Sequence, residues 1–412
     1  MKKFISAVLC VISAICLFGC GSKQDEKPLD CEGGIGDRTK LYGVCYEPSV
    51  RLETEDLFNV SKDTEMLKNL GVTSMRFWMQ TTYLLENPTT VKEDICKKMH
   101  KIIASFQKAG ITVTGMSHTN FNSGITSSGK PARDVSSPTT EYVKWLENYR
   151  TSFRTLAKEF PEITHWEIDN EVNNTDFMKN LANESVYSQE QMAEIATDIL
   201  WYGSKGIHEG NAKAKTVLSG LVGLYSGRIK TFLEKVYLNI ESGEYGYDYA
   251  KGDKKSASKN PDDYFEIACW HPYIEGAFSQ KVFKKYNDEI YRVILEHEKK
   301  HKKVIFSEVG FSNTTYAEKI SAKYLTEMFT VIREQMPYVE SVHYYKLFDY
   351  ADAEKYWTHT ISRYGLFYDP DPSRRYTNNE SDGYVVAAEP KPAALAFQQL
   401  AGGSGELNIY KL

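Results

Sequence analysis

From residue 41 onward the chain alternates between two kinds of segment. Short runs rich in β-branched and aromatic residues cover 41–46, 72–79, 111–116, 164–170, 216–222, 265–270, 304–307 and 341–347. Between them lie 63–69, 91–109, 141–158, 188–209, 229–240, 280–301 and 316–335, and a last such segment covers 392–400; their apolar residues recur at three- and four-residue spacing. Glycines at 71, 110 and 210 read as helix stops before the next strand. Eight strands in strict alternation with helices predict an α/β fold, a single-domain (β/α)8 TIM barrel over 41–412. A doubly wound open sheet is the competitor. It expects a Gly-rich phosphate loop after the first strand, and none is there. Gly33-Gly34-Ile35-Gly36 precedes that strand and reads as tether. No internal repeat is visible, and 251–260 and 369–389 read as polar loops.

The 412 residues are 42% hydrophobic and 25% charged, with a net charge of −5. This is globular composition with no basic stripe, so nothing points to nucleic acid. Lys2 and Lys3 precede an apolar run, 4–18, too short for a stable membrane span. It ends Leu17-Phe18-Gly19-Cys20, similar to a bacterial lipobox. Residues 1–20 are therefore expected to be a lipoprotein signal with Cys20 as the lipidated residue, and 21–40 a flexible tether. The expected address is the bacterial envelope: outer membrane, cell surface or periplasm. An ordinary secretory signal is the alternative. Of the seven cysteines, Cys31, Cys45, Cys96 and Cys269 lie beyond Cys20 and lack zinc-site spacing. A Cys31–Cys45 bridge stays open.

In a barrel of this kind chemistry sits where strands end. The fourth ends in Asn170-Glu171, within His165-Trp-Glu-Ile-Asp-Asn-Glu-Val-Asn-Asn174, and the seventh ends in Glu308. The second carries Arg76 and Trp78, the third leads to His118, the sixth ends Trp270-His271-Pro-Tyr273, and the eighth holds Tyr344-Tyr345-Lys346. Two carboxyls far apart in sequence and brought together by a barrel suit glycosidic bond cleavage, one as acid and one as nucleophile. Arg76 and Tyr273 are placed to hold Glu308 ionised, while an ionised partner favours the proton on Glu171. Alternation puts Glu167 and Asp169 on the face of Glu171, and Glu167 reads as a buried structural carboxylate.

This set resembles glycoside hydrolase clan A, the retaining (β/α)8-barrel glycosidases, closest in layout to family 5 and with some likeness to family 39. The resemblance covers roughly residues 41–400. It implies Glu171 as acid/base and Glu308 as nucleophile, and it matches Arg76, His118, Asn170, His271 and Tyr273 to further substrate-site positions. The family's strand-eight Trp is absent. Tyr344, Tyr345 and Lys346 stand there, with Tyr345 a candidate substrate-site residue, and Trp357 in the next loop is a candidate substitute. Trp78 and Trp270 are candidate sugar-facing aromatics, with simple packing as the alternative.

His297-Glu298-Lys-Lys-His301 matches the zinc-protease pattern. It lies in 296–303, eight residues that are all charged or histidine, and reads as a solvated segment at the opposite end of the barrel from the strand exits. The expectation is a monomeric glycoside hydrolase with a polysaccharide or oligosaccharide substrate, a lipid anchor at Cys20, and no metal or organic cofactor. A carbohydrate-binding lipoprotein that lost turnover, and a zinc protease using His297, Glu298 and His301, are the alternatives.

Overall fold

The computed structural model describes residues 29, 38–46, 60–117, 138–178, 187–349, 363–369 and 388–410. His118, Trp357, Cys20 and Cys31 lie outside the described residues. Eight parallel strands form one sheet: β1 Tyr42–Tyr46, β2 Ser74–Trp78, β3 Thr112–Ser117, β4 His165–Ile168, β5 Lys215–Val217, β6 Ala268–Cys269, β7 Val304–Val309 and β8 Val339–Tyr344. Their order is β5-β4-β3-β2-β1-β8-β7-β6. Parallel bridges Val217–Ile267 and Leu221–Trp270 join β5 to β6 and close the barrel. Besides one short turn of helix at Thr81–Leu84, the helices are α1 Val60–Leu70, α2 Glu93–Lys108, α3 Thr140–Glu159, α4 Gln189–Gly210, α5 Arg228–Ser242, α6 Gln280–Glu298, α7 Glu318–Gln335 and α8 Pro392–Ala401. The expected (β/α)8 barrel is the observed fold.

Side-chain alternation along the strands separates two cores. Outward residues are large and apolar: Phe77 meets Phe106 of α2 edge-on at 5.6 Å, and Trp166 meets Phe153 of α3 at 6.5 Å. Burying each such ring contributes roughly 1.5–3 kcal/mol. The barrel interior is unusually polar, with Arg76, Glu167, Ser307, His271 and His343 all buried. α8 starts at Pro392, whose missing N–H costs nothing at a helix start, and lays Phe397 against Tyr42 and Phe329.

Gly71 and Gly110 follow helices with φ of 81° and 82°, the expected left-handed stops. Gly210 does not. It is still helical, and α4 is capped by Asn211. Its role is steric: a Cβ at Gly206 or Gly210 would overlap the carbonyl oxygens of Arg150 and Arg154. A hairpin, Leu85–Asn87 with Thr90–Val91, precedes α2, and of its residues only Val91 falls in the segment read as helix.

The 296–303 segment also departs from expectation. α6 stops at Glu298, and Lys299 takes φ 55°, so His297 and His301 do not share a helical face. Glu298 and Lys302 form a buried ion pair at 2.8 Å, and Tyr237 donates to Glu298 at 2.6 Å. His297 contacts Glu241 at 2.7 Å and His301 contacts Tyr291 at 3.0 Å. The charged run is thus partly a buried pin between α5, α6 and the start of β7, and its histidines point apart. Among the described residues no helix is long and apolar enough to cross a membrane.

Candidate active site

The exit of β4 is where strand alternation breaks. Asp169 and Glu171 both adopt positive φ, 68° and 46°. The kink turns Asp169 outward, and its carboxylate accepts from Tyr149 of α3 at 3.2 Å and from the Asn170 amide at 2.7 Å. Asp169 therefore does not share the face of Glu171. Burial pushes its carboxyl up to about 7, with the Asn170 and Tyr149 hydrogen bonds acting against it. Asn170 and Glu171 are turned into the barrel mouth. A reciprocal pair of bonds between Asn173 and Val222, at 2.8 and 3.0 Å, ties this loop to the exit of β5.

β7 carries a second irregularity. Val342 and Tyr344 of β8 pair with Phe306 and Val309, so β7 has one extra residue between these points. The bulge lets the consecutive residues Ser307 and Glu308 both reach into the barrel, which regular alternation forbids.

Arg76, from β2, joins these two exits. Its Nε donates to Glu167 at 2.6 Å, and Nη2 donates to Glu167 at 2.9 Å and to Asn170 at 2.8 Å. Its Nη1 forms a short contact to Glu308. Burial opposes the charge on Arg76, but Glu167 and Glu308 outweigh it and hold the guanidinium well above its ordinary value. Tyr273 donates to the other Glu308 oxygen at 3.0 Å. Burial first, and then the Glu308 charge, push the Tyr273 hydroxyl well up, so it remains a donor.

Glu171 meets no cation among these contacts. Asn174 donates to its Oε2 at 2.8 Å, and His271 Nδ1 lies 3.0 Å from its Oε1. Facing oxygens of Glu171 and Glu308 and a nitrogen of His271 all fall within 4.8 Å of one another. Among the described residues this is the one group of ligand-type side chains close enough to share an ion. Coordination would require His271 Nδ1 to abandon its contact with Glu171.

The sequence-derived set is thus largely assembled: Glu171, Glu308, Arg76, Asn170, His271 and Tyr273 converge. Tyr345 stands at the exit of β8, edge-on to Tyr364 at 5.6 Å, and Tyr364 in turn meets Tyr273 at 5.9 Å. Trp78 lies two residues beyond Arg76 on the same face of β2 and is half-buried. Trp270 does not join the site. It is fully buried, its Nε1 donates to Asn287 of α6 at 2.7 Å, and its ring packs on Phe306. Alternation explains this, because His271 faces inward and its neighbour must face the helices.

Three contributors were not foreseen. Asn174 lies in the stretch around Glu171, and its three-residue spacing was the available signal. Ser307 was hidden by the bulge. Tyr364, whose hydroxyl burial pushes up to about 12 with smaller effects from Tyr316, Glu308 and Glu171, lies in a stretch whose sequence carries no strand or helix pattern.

No family model matches the chain, and no curated protein sequence matches it. Solved structures do share its fold. A family 39 glycoside hydrolase from the gut symbiont Bacteroides cellulosilyticus is 18% identical with a TM-score of 0.58, covering 89% of this chain and 64% of that one. The family 1 β-glucosidase from Thermotoga maritima is 15% identical with a TM-score of 0.56, covering 84% and 86%. A GH5_18 variant from Bifidobacterium longum, in complex with Manb1-4GlcNAc, is 11% identical with a TM-score of 0.59, covering 88% and 78%. The chain spans under two thirds of the length of the first of these. At such identities the likeness is one of fold.

Proposed function

We propose that the protein is a retaining glycoside hydrolase of clan A type, cleaving β-glycosidic bonds of a polysaccharide or oligosaccharide by double displacement. The observation that carries this reading is the approach of Glu171 and Glu308 to within 4.8 Å at the exits of β4 and β7. Retention needs carboxyls roughly 5 Å apart, whereas inversion needs a wider gap that admits a water. The two carboxyls also differ in surroundings as the two roles require. Glu308 receives Arg76 and the Tyr273 hydroxyl, which stabilise a carboxylate ready to attack the anomeric carbon. Glu171 has a neutral amide, an imidazole and the Glu308 carboxyl beside it and no Lys or Arg among these, which suits a group that carries a proton to the leaving oxygen. When Glu308 becomes a neutral glycosyl ester, Glu171 has lost its proton and can accept one from water.

Asn170, held by Arg76, is set to bond a ring hydroxyl next to the reacting carbon. Tyr345 and Trp78 offer aromatic faces at the mouth. The neighbours with this fold include glycosidases of three families, which adds support without identifying the sugar. The N-terminal pattern supports an enzyme held at the bacterial envelope by lipid on Cys20.

Chemical rescue tests the roles. Glu308→Ala should abolish turnover, and added azide should give a glycosyl azide of inverted configuration. Glu171→Ala should still be glycosylated by a dinitrophenyl glycoside, whose leaving group needs no proton, and azide should then give retained configuration. Exchanged stereochemistry would reverse the assignments. Undiminished hydrolysis by both variants would remove the pair from the mechanism.

A further inference from the structure

A chain of hydrogen bonds runs behind the proposed acid. His271 Nδ1 faces Glu171 Oε1 at 3.0 Å, and its Nε2 lies 2.9 Å from Ser307 Oγ. Ser307 Oγ is 3.0 Å from Glu167 Oε1 and 2.9 Å from Cys269 Sγ. Ser307, His271 and Cys269 are all buried, so these are their available partners.

The protons in this chain can be assigned by counting. A serine hydroxyl has one hydrogen to give and two lone pairs to receive. Glu167 is bonded along both oxygens to Arg76 and also accepts from the Gly220 amide at 3.1 Å, so it acts as a carboxylate and only accepts. The Ser307 hydrogen goes to it. The Cys269 thiol is pushed well up, by burial first and then by the Glu167 charge, so it keeps its hydrogen and donates to Ser307. One lone pair on Ser307 is left, and His271 Nε2 must fill it by donating. With its one ring hydrogen on Nε2, a neutral imidazole would leave a bare lone pair on Nδ1, the nitrogen that faces Glu171.

We propose that Ser307 is a positioning residue that fixes His271 as the Nε2–H tautomer, so that Nδ1 accepts the hydrogen that Glu171 holds. The inference rests on the glycosidase reading for its purpose, since this is the hydrogen the glycosidic oxygen would take as its bond to the sugar breaks. Asn174 donates to Glu171 Oε2, so the acidic hydrogen sits on Oε1, on the His271 side. The imidazole can occupy this position because the facing residue on the β5 exit is Gly220. Any Cβ there would overlap the ring.

The other charged groups around the ring agree with this arrangement. Glu167 Oε1 is 3.9 Å from Nε2, which favours hydrogen on that nitrogen. Glu308 Oε2 is 3.7 Å from Nδ1, beyond hydrogen-bond reach, and the Glu308 charge is balanced by Arg76 and the Tyr273 hydroxyl. From β8, His343 stays neutral, because burial and then the Arg76 charge hold it down at about 3, so it sets no competing charge.

The test is nitrogen-15 NMR of the full-length protein labelled at histidine. The nine histidines include one signal that disappears in His271→Gln, which assigns it. At neutral pH that signal should show a protonated Nε2 and an unprotonated, hydrogen-bonded Nδ1. A Nδ1–H tautomer or an imidazolium overturns the proposal, and neither reading needs substrate. In Ser307→Ala the tautomer should change, and the alkaline limb of the activity profile should move to lower pH by about one unit. The rate loss should be large on a glycoside with a poor leaving group and much smaller on a dinitrophenyl glycoside. Ser307→Thr, which keeps the hydroxyl, should restore the wild-type profile. An unchanged tautomer and profile in Ser307→Ala would also overturn it. Absence of hydrolysis on every glycoside, with the Nε2–H tautomer present, would instead reject the glycosidase reading and leave the tautomer assignment standing.

Discussion

Arg76 shows how much one side chain can organise. It neutralises Glu167, steadies Glu308 and orients Asn170, and it does so from the middle of a short strand. Its neighbour in the barrel, His343, illustrates the opposite case. Both its ring nitrogens are buried with no hydrogen-bond partner among the described residues. Burial, and then the charge of Arg76, hold it down at about 3, against an ordinary 6.5. Between these values the unfolded chain takes up a proton there and the folded protein does not. Linkage then requires stability to fall as pH drops from about 6.5 towards 3, at up to about 1.4 kcal/mol per unit for this one group. His343→Leu should flatten that loss. Urea midpoints at pH 7 and pH 4.5 for both proteins measure it, and parallel declines would clear His343 of responsibility.

At the level of strands and helices, much was legible and the failures have physical causes. Helices α1 to α8 and the eight strands follow from apolar spacing, because each helix hides one face and each strand its outward residues. The convergence of Glu171, Glu308, Arg76, Asn170, His271 and Tyr273 followed from reading strand ends in a barrel. What failed was alternation at two irregular points. The positive φ at Asp169 turned that residue out towards Tyr149, and the bulge in β7 brought Ser307 in. Neither leaves a mark in composition. Gly210 failed for another reason: a glycine that ends a helix and one that lets two helices touch look alike in sequence. The contact between α3 and α4 gives a direct test. Gly206→Ala places a methyl against the Arg150 carbonyl oxygen, and backbone cannot swing aside as a side chain can. Overpacking of this sort costs about 1–3 kcal/mol, more than the roughly 1 kcal/mol gained in helix propensity. Thermal denaturation should show a lower midpoint for Gly206→Ala. A midpoint equal to or above wild type would mean the helices separate without cost.

For the molecule as a whole, one barrel accounts for every described strand except the small hairpin, and the proposed chemistry occupies a single end of it. The proposal that the chain is tethered rests on Leu17-Phe18-Gly19-Cys20 and is tested apart from the barrel. Cys20→Ala should move the protein from the membrane fraction to the soluble fraction, or leave it unprocessed with its signal attached. Fractionation and processing identical to wild type would remove the anchor while leaving the enzyme reading intact. The extra residue in β7 bears on how this barrel can be rebuilt. A chimera that borrowed its seventh strand from a barrel with even spacing would match residue for residue up to Phe306 and then fall one step out of phase. Its glutamate would be present in the sequence and aimed at the helices. Strand exchange among barrels of this kind therefore has to carry the irregularity along with the residue that uses it.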